Sequence, residues 1–194
     1  SGMWARQVAA FSPRYRVVAP DYPGLGKSEP RAEPTTMEAL ADDVLALLGN
    51  IRVERAAVVG LSMGGYLAFE LARRRPGLFR GLVLCDTRSG ADTPEGAQNR
   101  ETFARSSLEK GLHWVADEMT PKLLRPQPDP AAVREVRALI GQGTPAGVAA
   151  AVAAAREDMP VILTEARPYL GGVLTGSMLN MFDMDLGQHG EQLA

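Results

Sequence analysis

Two rhythms of apolar positions alternate along the first ninety residues. Compact β-branched or aliphatic runs, "YRVVAPD" (Tyr15 to Asp21), "AAVVG" (Ala56 to Gly60) and "GLVLCD" (Gly81 to Asp86), each predict a short buried strand. Between them the spacing stretches to three and four. Met3 to Phe11 predicts a short helix, and Met37, Leu40, Val44, Leu47 and Leu48 predict a longer one. Thr35 or Thr36 stands where a cap belongs, with Glu38 in the first turn. Gly65 to Arg75 predicts a third helix. Buried strands alternating with helices make an α/β chain with a parallel sheet flanked by helices.

After Asp86 the rhythm changes. Residues 92–158 read as helices alone, punctuated by "RPQPDP" and "GQGTPAG". A helical block inserted after a strand end is expected to form a cap over the carboxyl edge of the sheet, where α/β proteins bind ligands. From Tyr169 a weak strand pattern returns in "YLGGVLTG", interrupted by two glycines. The expected organisation is a core over 1–91, a helical cap over 92–158 and a returning core segment over 159–194.

Composition narrows the function classes. With 194 residues, 45% of them hydrophobic and 23% charged, the chain can build one sizeable core. A net charge of −2 with interspersed signs gives no footprint for nucleic acid or an anionic membrane surface. No apolar run approaches the roughly 20 residues of a membrane span. Cys85 is the single cysteine and lies in an apolar run, which fits a buried thiol and a reducing, cytoplasmic setting. Neither metal-ligand spacing nor a third glycine after Gly24-Leu25-Gly26 is present, so no metal and no cofactor are expected.

The candidate chemistry lies in "AAVVGLSMGGYLAFELARR". A serine hydroxyl is a weak nucleophile until a base takes its proton and donors face the developing oxyanion. A sharp strand-to-helix turn lifts the hydroxyl clear of the sheet, and it needs small residues two before and two after. Gly60-Leu61-Ser62-Met63-Gly64 has that spacing between a predicted strand and a predicted helix. Ser62 is therefore the candidate nucleophile, and the Met63 N–H, at a helix start, the candidate oxyanion donor. In "DYPGLGKS" (Asp21 to Ser28) the glycines permit tight turns, and Asp21 and Ser28 are expected to satisfy loop amides, an architectural role.

These motifs carry a resemblance. "GLSMGG" matches the nucleophile elbow of the α/β-hydrolase superfamily, "DYPGLGKS" its D-x-x-G-x-G-x-S loop, and "GLVLCDTRSGADTPEG" the sixth strand and cap entrance of its 3-oxoadipate enol-lactonase-like branch. The likeness covers roughly residues 3 to 160 and implies a hydrolase of small carboxylic esters or lactones working through an acyl-enzyme. It also implies three strands before the first helix, the third ending in the second oxyanion donor, and an eighth strand near the end. Ser1-Gly2-Met3-Trp4 matches the loop after that third strand, so a truncated chain is expected.

The resemblance implies an acid and a histidine after Ser62, in that chain order. Asp183 stands near the place for the acid, and Asp86, at the end of the third visible strand, competes with it. His189 is the candidate base, although six residues from Asp183 cannot hold the helix and strand that normally intervene. His113, beside Trp114 in the helical block, reads as a surface histidine. The expectation is a serine hydrolase impaired as written; the alternative is a ligand-binding protein of the same fold, or an inactive fragment. The expected partner is a small ester or lactone.

Overall fold

The computed structural model describes residues 2–32 and 35–155, which divide into two compact units. One takes Ala5–Ala19 and Ala41–Gly90; the other takes residues 2–4, Pro20–Leu40 and, of the described residues, 91–155.

The first of these units holds the sheet. Helix α1 (Ala5–Phe11) follows a 3-10 turn at Gly2–Trp4. Helix α2 (Met37–Asn50) begins as its sequence predicts: the Thr36 hydroxyl accepts the Ala39 N–H at 3.1 Å, and Glu38 lies in the positive first turn. Strand β1 (Ala56–Leu61), helix α3 (Met63–Arg74) and strand β2 (Phe79–Cys85) form one crossover unit. The strands pair in parallel, Val58 opposite Leu82 and Leu61 opposite Cys85. A parallel pair cannot be closed by a tight turn, so α3 spans it and packs on both strands. Leu48, Val53 and Leu78 form the core beneath, packed against Val44, Ile51, Val58 and Phe79.

The strand expected over Tyr15 to Asp21 is not formed. Among the described residues the sheet has two strands, β1 and β2. The alternation of a strand is present all the same: Tyr15, Val17 and Ala19 are half-buried while Arg16, Val18 and Pro20 face solvent. β-Branched composition favours extended backbone, but a strand also needs a ladder neighbour. Val18 stays 39% exposed, and Arg16 reaches the Ile51 carbonyl at the end of α2.

Three helices fill the other unit. Helix α4 (Pro94–Leu123) is two helices joined at Gly111, whose φ of 76° breaks the helical course. Helices α5 (Pro130–Ile140) and α6 (Pro145–Ala154) both pack against α4. All three start alike. Thr93, Asp129 and Thr144 accept a first-turn N–H from Gly96, Ala131 and Gly147, and a proline follows each at the first helical position. There its missing N–H costs nothing. The loop "DYPGLGKS" belongs to the same unit. Asp21 accepts the Lys27 N–H at 3.2 Å, and the Ser28 hydroxyl donates to the Asp21 carbonyl at 2.7 Å. Gly24 lies against the start of α6, its carbonyl accepting both the Thr144 N–H (2.9 Å) and the Thr144 hydroxyl (3.0 Å). The segments from Tyr169 on, with Asp183 and His189, lie outside the described residues.

Candidate active site

Ser62 sits between β1 and α3 with φ 51° and ψ −116°. A side chain rarely tolerates that combination, which stores of the order of 1–3 kcal/mol and persists only where the surroundings impose it. Two groups of the second strand's end impose it here. The Ser62 N–H donates to the Cys85 carbonyl at 2.9 Å, extending the ladder by one bond. The Ser62 carbonyl accepts from the Thr87 hydroxyl at 2.8 Å and from the Gly65 N–H at 2.9 Å.

The flanking glycines are required by the same geometry. A Cβ on Gly60 would lie 2.6 Å from the Gly64 carbonyl carbon and 2.7 Å from the Gly65 Cα, backbone against backbone. A Cβ on Gly65 would run into the Thr87 side chain, 2.7 Å from its Cβ. Small residues at these two places let strand and helix pass in contact. Helix α3 starts at Met63, two residues before the predicted start, because the break in backbone direction falls entirely on Ser62. Ser62 is exposed, and the Met63 N–H is the first of the helix, one of those without an intrahelical acceptor.

Asp86 follows the last residue of β2 with φ 45° and is exposed. It stands in the chain between the two residues that hold the Ser62 peptide groups, so Ser62 and Asp86 share one end of the sheet. Asp183 and His189 lie outside the described residues. His113 is on the exposed surface of α4, its Nδ1 3.1 Å from Asp117, whose carboxylate also accepts from Arg137 at 2.7 Å. The Arg137 hydrogen bond, aided by the charges of His113 and Arg137, holds the Asp117 carboxyl below its ordinary range. This trio ties α4 to α5.

Sequence reasoning missed two features of the site's support. The first is Thr87. The second is Glu70, a carboxylate buried on α3 at 1% exposure, which accepts from Arg73 Nε at 2.9 Å and Arg74 Nε at 2.5 Å. Arg74 also pairs with Asp42 of α2. The spacing of "ELARR" signals the pairing, since residues three and four apart share a helix face. It does not signal the burial. Among the described residues no group of three or more His, Cys, Asp or Glu is placed to hold a metal, and no helix is long and apolar enough to cross a membrane.

Residues 1–119 match the family model described as alpha/beta hydrolase fold. The chain belongs to this family. Its fold resembles that of a thermophilic esterase from Thermogutta terrifontis, with 36% identity and a TM-score of 0.76 over 80% of this chain and 59% of that one. The enol-lactonase from Burkholderia xenovorans is similar at 33% identity and a TM-score of 0.71, over 80% and 60%. The 3-oxoadipate enol-lactonase 2 of Acinetobacter baylyi is 28% identical over 158 residues, 80% of this chain. The chain spans 58% of that relative's length. The likeness read from "GLSMGG", "DYPGLGKS" and "GLVLCDTRSGADTPEG" is thus borne out for both superfamily and branch.

A second model, described as FAD dependent oxidoreductase, matches residues 139–194. Its described part is the end of α5 and α6. The N-terminus of α6, where a helix would receive a dinucleotide phosphate, is already closed. The Gly147 N–H donates to Thr144 Oγ1 at 3.0 Å, and a Cβ on Gly147 would lie 2.8 Å from the Gly24 Cα. This alpha/beta hydrolase-fold chain fills that helix end with its own loop, and the described residues do not fit a flavin dinucleotide there.

Proposed function

We propose that this chain carries the nucleophile and one oxyanion donor of a serine hydrolase acting on small carboxylic esters or lactones. The observation that carries the reading is the backbone of Ser62, a non-glycine residue held at φ 51° and ψ −116° between a strand and a helix N-terminus. That conformation presents Oγ above the sheet edge. In the reaction Oγ attacks the substrate carbonyl carbon and its proton passes to a histidine. The Met63 N–H receives the negative oxygen of the tetrahedral intermediate. Collapse expels the alkoxide, which takes the proton from the imidazolium, and water hydrolyses the acyl-enzyme by the same path. The esterase and enol-lactonase relatives support the substrate class. His189 is the proposed base and Asp183 or Asp86 the proposed acid. Six residues between Asp183 and His189 cannot hold the helix and strand that the resemblance implies between acid and base, so weak turnover is expected.

The test is covalent labelling by an alkyl fluorophosphonate, located by peptide mass spectrometry. Labelling is expected at Ser62 and absent in Ser62→Ala. An unlabelled chain of native melting behaviour, stabilised by small esters without consuming them, would favour the ligand-binding alternative. Asp86→Asn separates the two acids: asparagine accepts the positive φ that Asp86 adopts, so only the charge is lost. If Asp86 is the acid, the labelling rate falls at least tenfold. If Asp183 is, Asp86→Asn labels like the wild type and Asp183→Asn does not.

A further inference from the structure

The Ser62–Met63 peptide is gripped from one side by a residue outside the elbow. We propose that Thr87 is a positioning residue for the oxyanion donor: its hydroxyl, bonded to the Ser62 carbonyl, sets the direction and donor strength of the Met63 N–H. The proposal rests on the reading of Ser62 as nucleophile.

In a planar trans peptide the C=O and the following N–H point in opposite directions. Whatever fixes the Ser62 carbonyl therefore fixes the Met63 N–H. That carbonyl has two lone pairs and both are engaged, one by the Gly65 N–H at 2.9 Å and one by Thr87 Oγ1 at 2.8 Å. The Gly65 bond belongs to the helix and would move with it. The Thr87 bond does not, because Thr87 follows β2, and it ties the peptide to the sheet. The Ser62 N–H is tied to the same strand end, at Cys85. Asp86, with φ 45°, bends the chain between these two contacts so that both face Ser62. The strained residue is thus clamped on both its peptide groups. A hydrogen bond on the carbonyl also polarises the amide, strengthening its N–H as a donor by about 10–30% in condensed phase. Thr87 has a packing duty too, since its side chain fills the space beside Gly65. Thr87→Val keeps that volume and removes the hydroxyl, whereas Thr87→Ser keeps the hydroxyl.

Two measurements on the full chain test this. The first is the saturation kinetics of fluorophosphonate labelling. Thr87→Val is expected to lower the limiting rate about tenfold, a fraction of the 10²–10³ lost when an oxyanion donor is deleted outright. The half-saturating probe concentration is expected to stay unchanged, and Thr87→Ser to restore the rate to within about threefold of wild type. A residue that only stabilised the fold would not produce this split. The second needs no activity. With ¹³C-carbonyl serine and ¹⁵N methionine, only the Ser62–Met63 and Ser177–Met178 peptides give a coupled signal, and Met178→Leu removes the second. In Thr87→Val the remaining carbonyl resonance is expected to move upfield as its hydrogen bond is lost, and in Thr87→Ser to stay near its wild-type place. An unmoved carbonyl signal, or a Thr87→Val protein that labels at the wild-type rate, overturns the proposal. If the wild type does not label at all, the nucleophile reading falls, and the carbonyl signal alone decides whether Thr87 holds the peptide.

Discussion

Gly60→Ala is expected to lower the thermal midpoint by about 6–12 °C, because an overpacked methyl costs about 3 kcal/mol and each kcal/mol shifts a chain of this length by about 2–4 °C. The collision is with backbone. The new Cβ would lie 2.6 Å from the Gly64 carbonyl carbon and 2.7 Å from the Gly65 Cα, and neither atom can turn away as a flexible side chain would. Relief requires α3 to lift from β1. The same movement carries the Met63 N–H off its line and loosens Gly65 from the Ser62 carbonyl, so fluorophosphonate labelling should fall together with stability. Gly49→Ala is the control. Nothing lies within 4 Å of its added Cβ and the residue is helical, so a gain of about 0.5–1 kcal/mol is expected. Differential scanning calorimetry of both variants is decisive. A Gly60→Ala protein melting with the wild type would show that the strand and helix do not pass in contact.

The elbow was legible because its requirements are local. Glycines two residues either side of Ser62, an apolar run before and a helical period after are all visible in twenty residues of sequence. The cap of α2 was legible on the same ground, as a short polar residue, Thr35 or Thr36, before a helical run, and the structure selects Thr36. What escaped depends on partners distant in the chain. Tyr15 to Asp21 has the composition of a strand, and the alternating exposure over 15–20 follows from it, but composition says nothing of whether a neighbour is there to pair. The contact of Thr87 with the Ser62 carbonyl depends on the register that sets Leu61 beside Cys85. Shifted by one residue, Thr87 would face away. Likewise, the approach of Gly24 to Thr144 joins residues 120 apart. Glycine and threonine in loops have many local uses, so neither residue announces which one it serves.

Glu70 is the clearest case of a residue whose neighbours in sequence mislead, and it carries the second large effect. In "FELARRRP" a glutamate reads as solvent-facing, yet its carboxylate is buried and held by Arg73 and Arg74, with Arg74 reaching on to Asp42. The Arg73 hydrogen bonds pull the Glu70 carboxyl below its ordinary range; burial opposes them, and the Arg74 hydrogen bond adds to the lowering. Replacing it by glutamine keeps the shape and removes the charge that both guanidinium groups face. Deleting one partner of a fully buried ion pair costs about 3–5 kcal/mol; because Arg73 is half in solvent, about 2 kcal/mol is expected here. The pH dependence gives the sign. A carboxyl whose folded pKa lies below its unfolded value stabilises the fold fully above the unfolded value, near 4.5, and loses that contribution as pH falls through the folded value. The wild type should therefore be more stable than Glu70→Gln at pH 7, and the difference should shrink steadily below about pH 4.5. Urea midpoints at pH 7, 5, 4 and 3 measure it. A gap that stays constant down to pH 3 would mean that Glu70 acts through its shape and not through its charge.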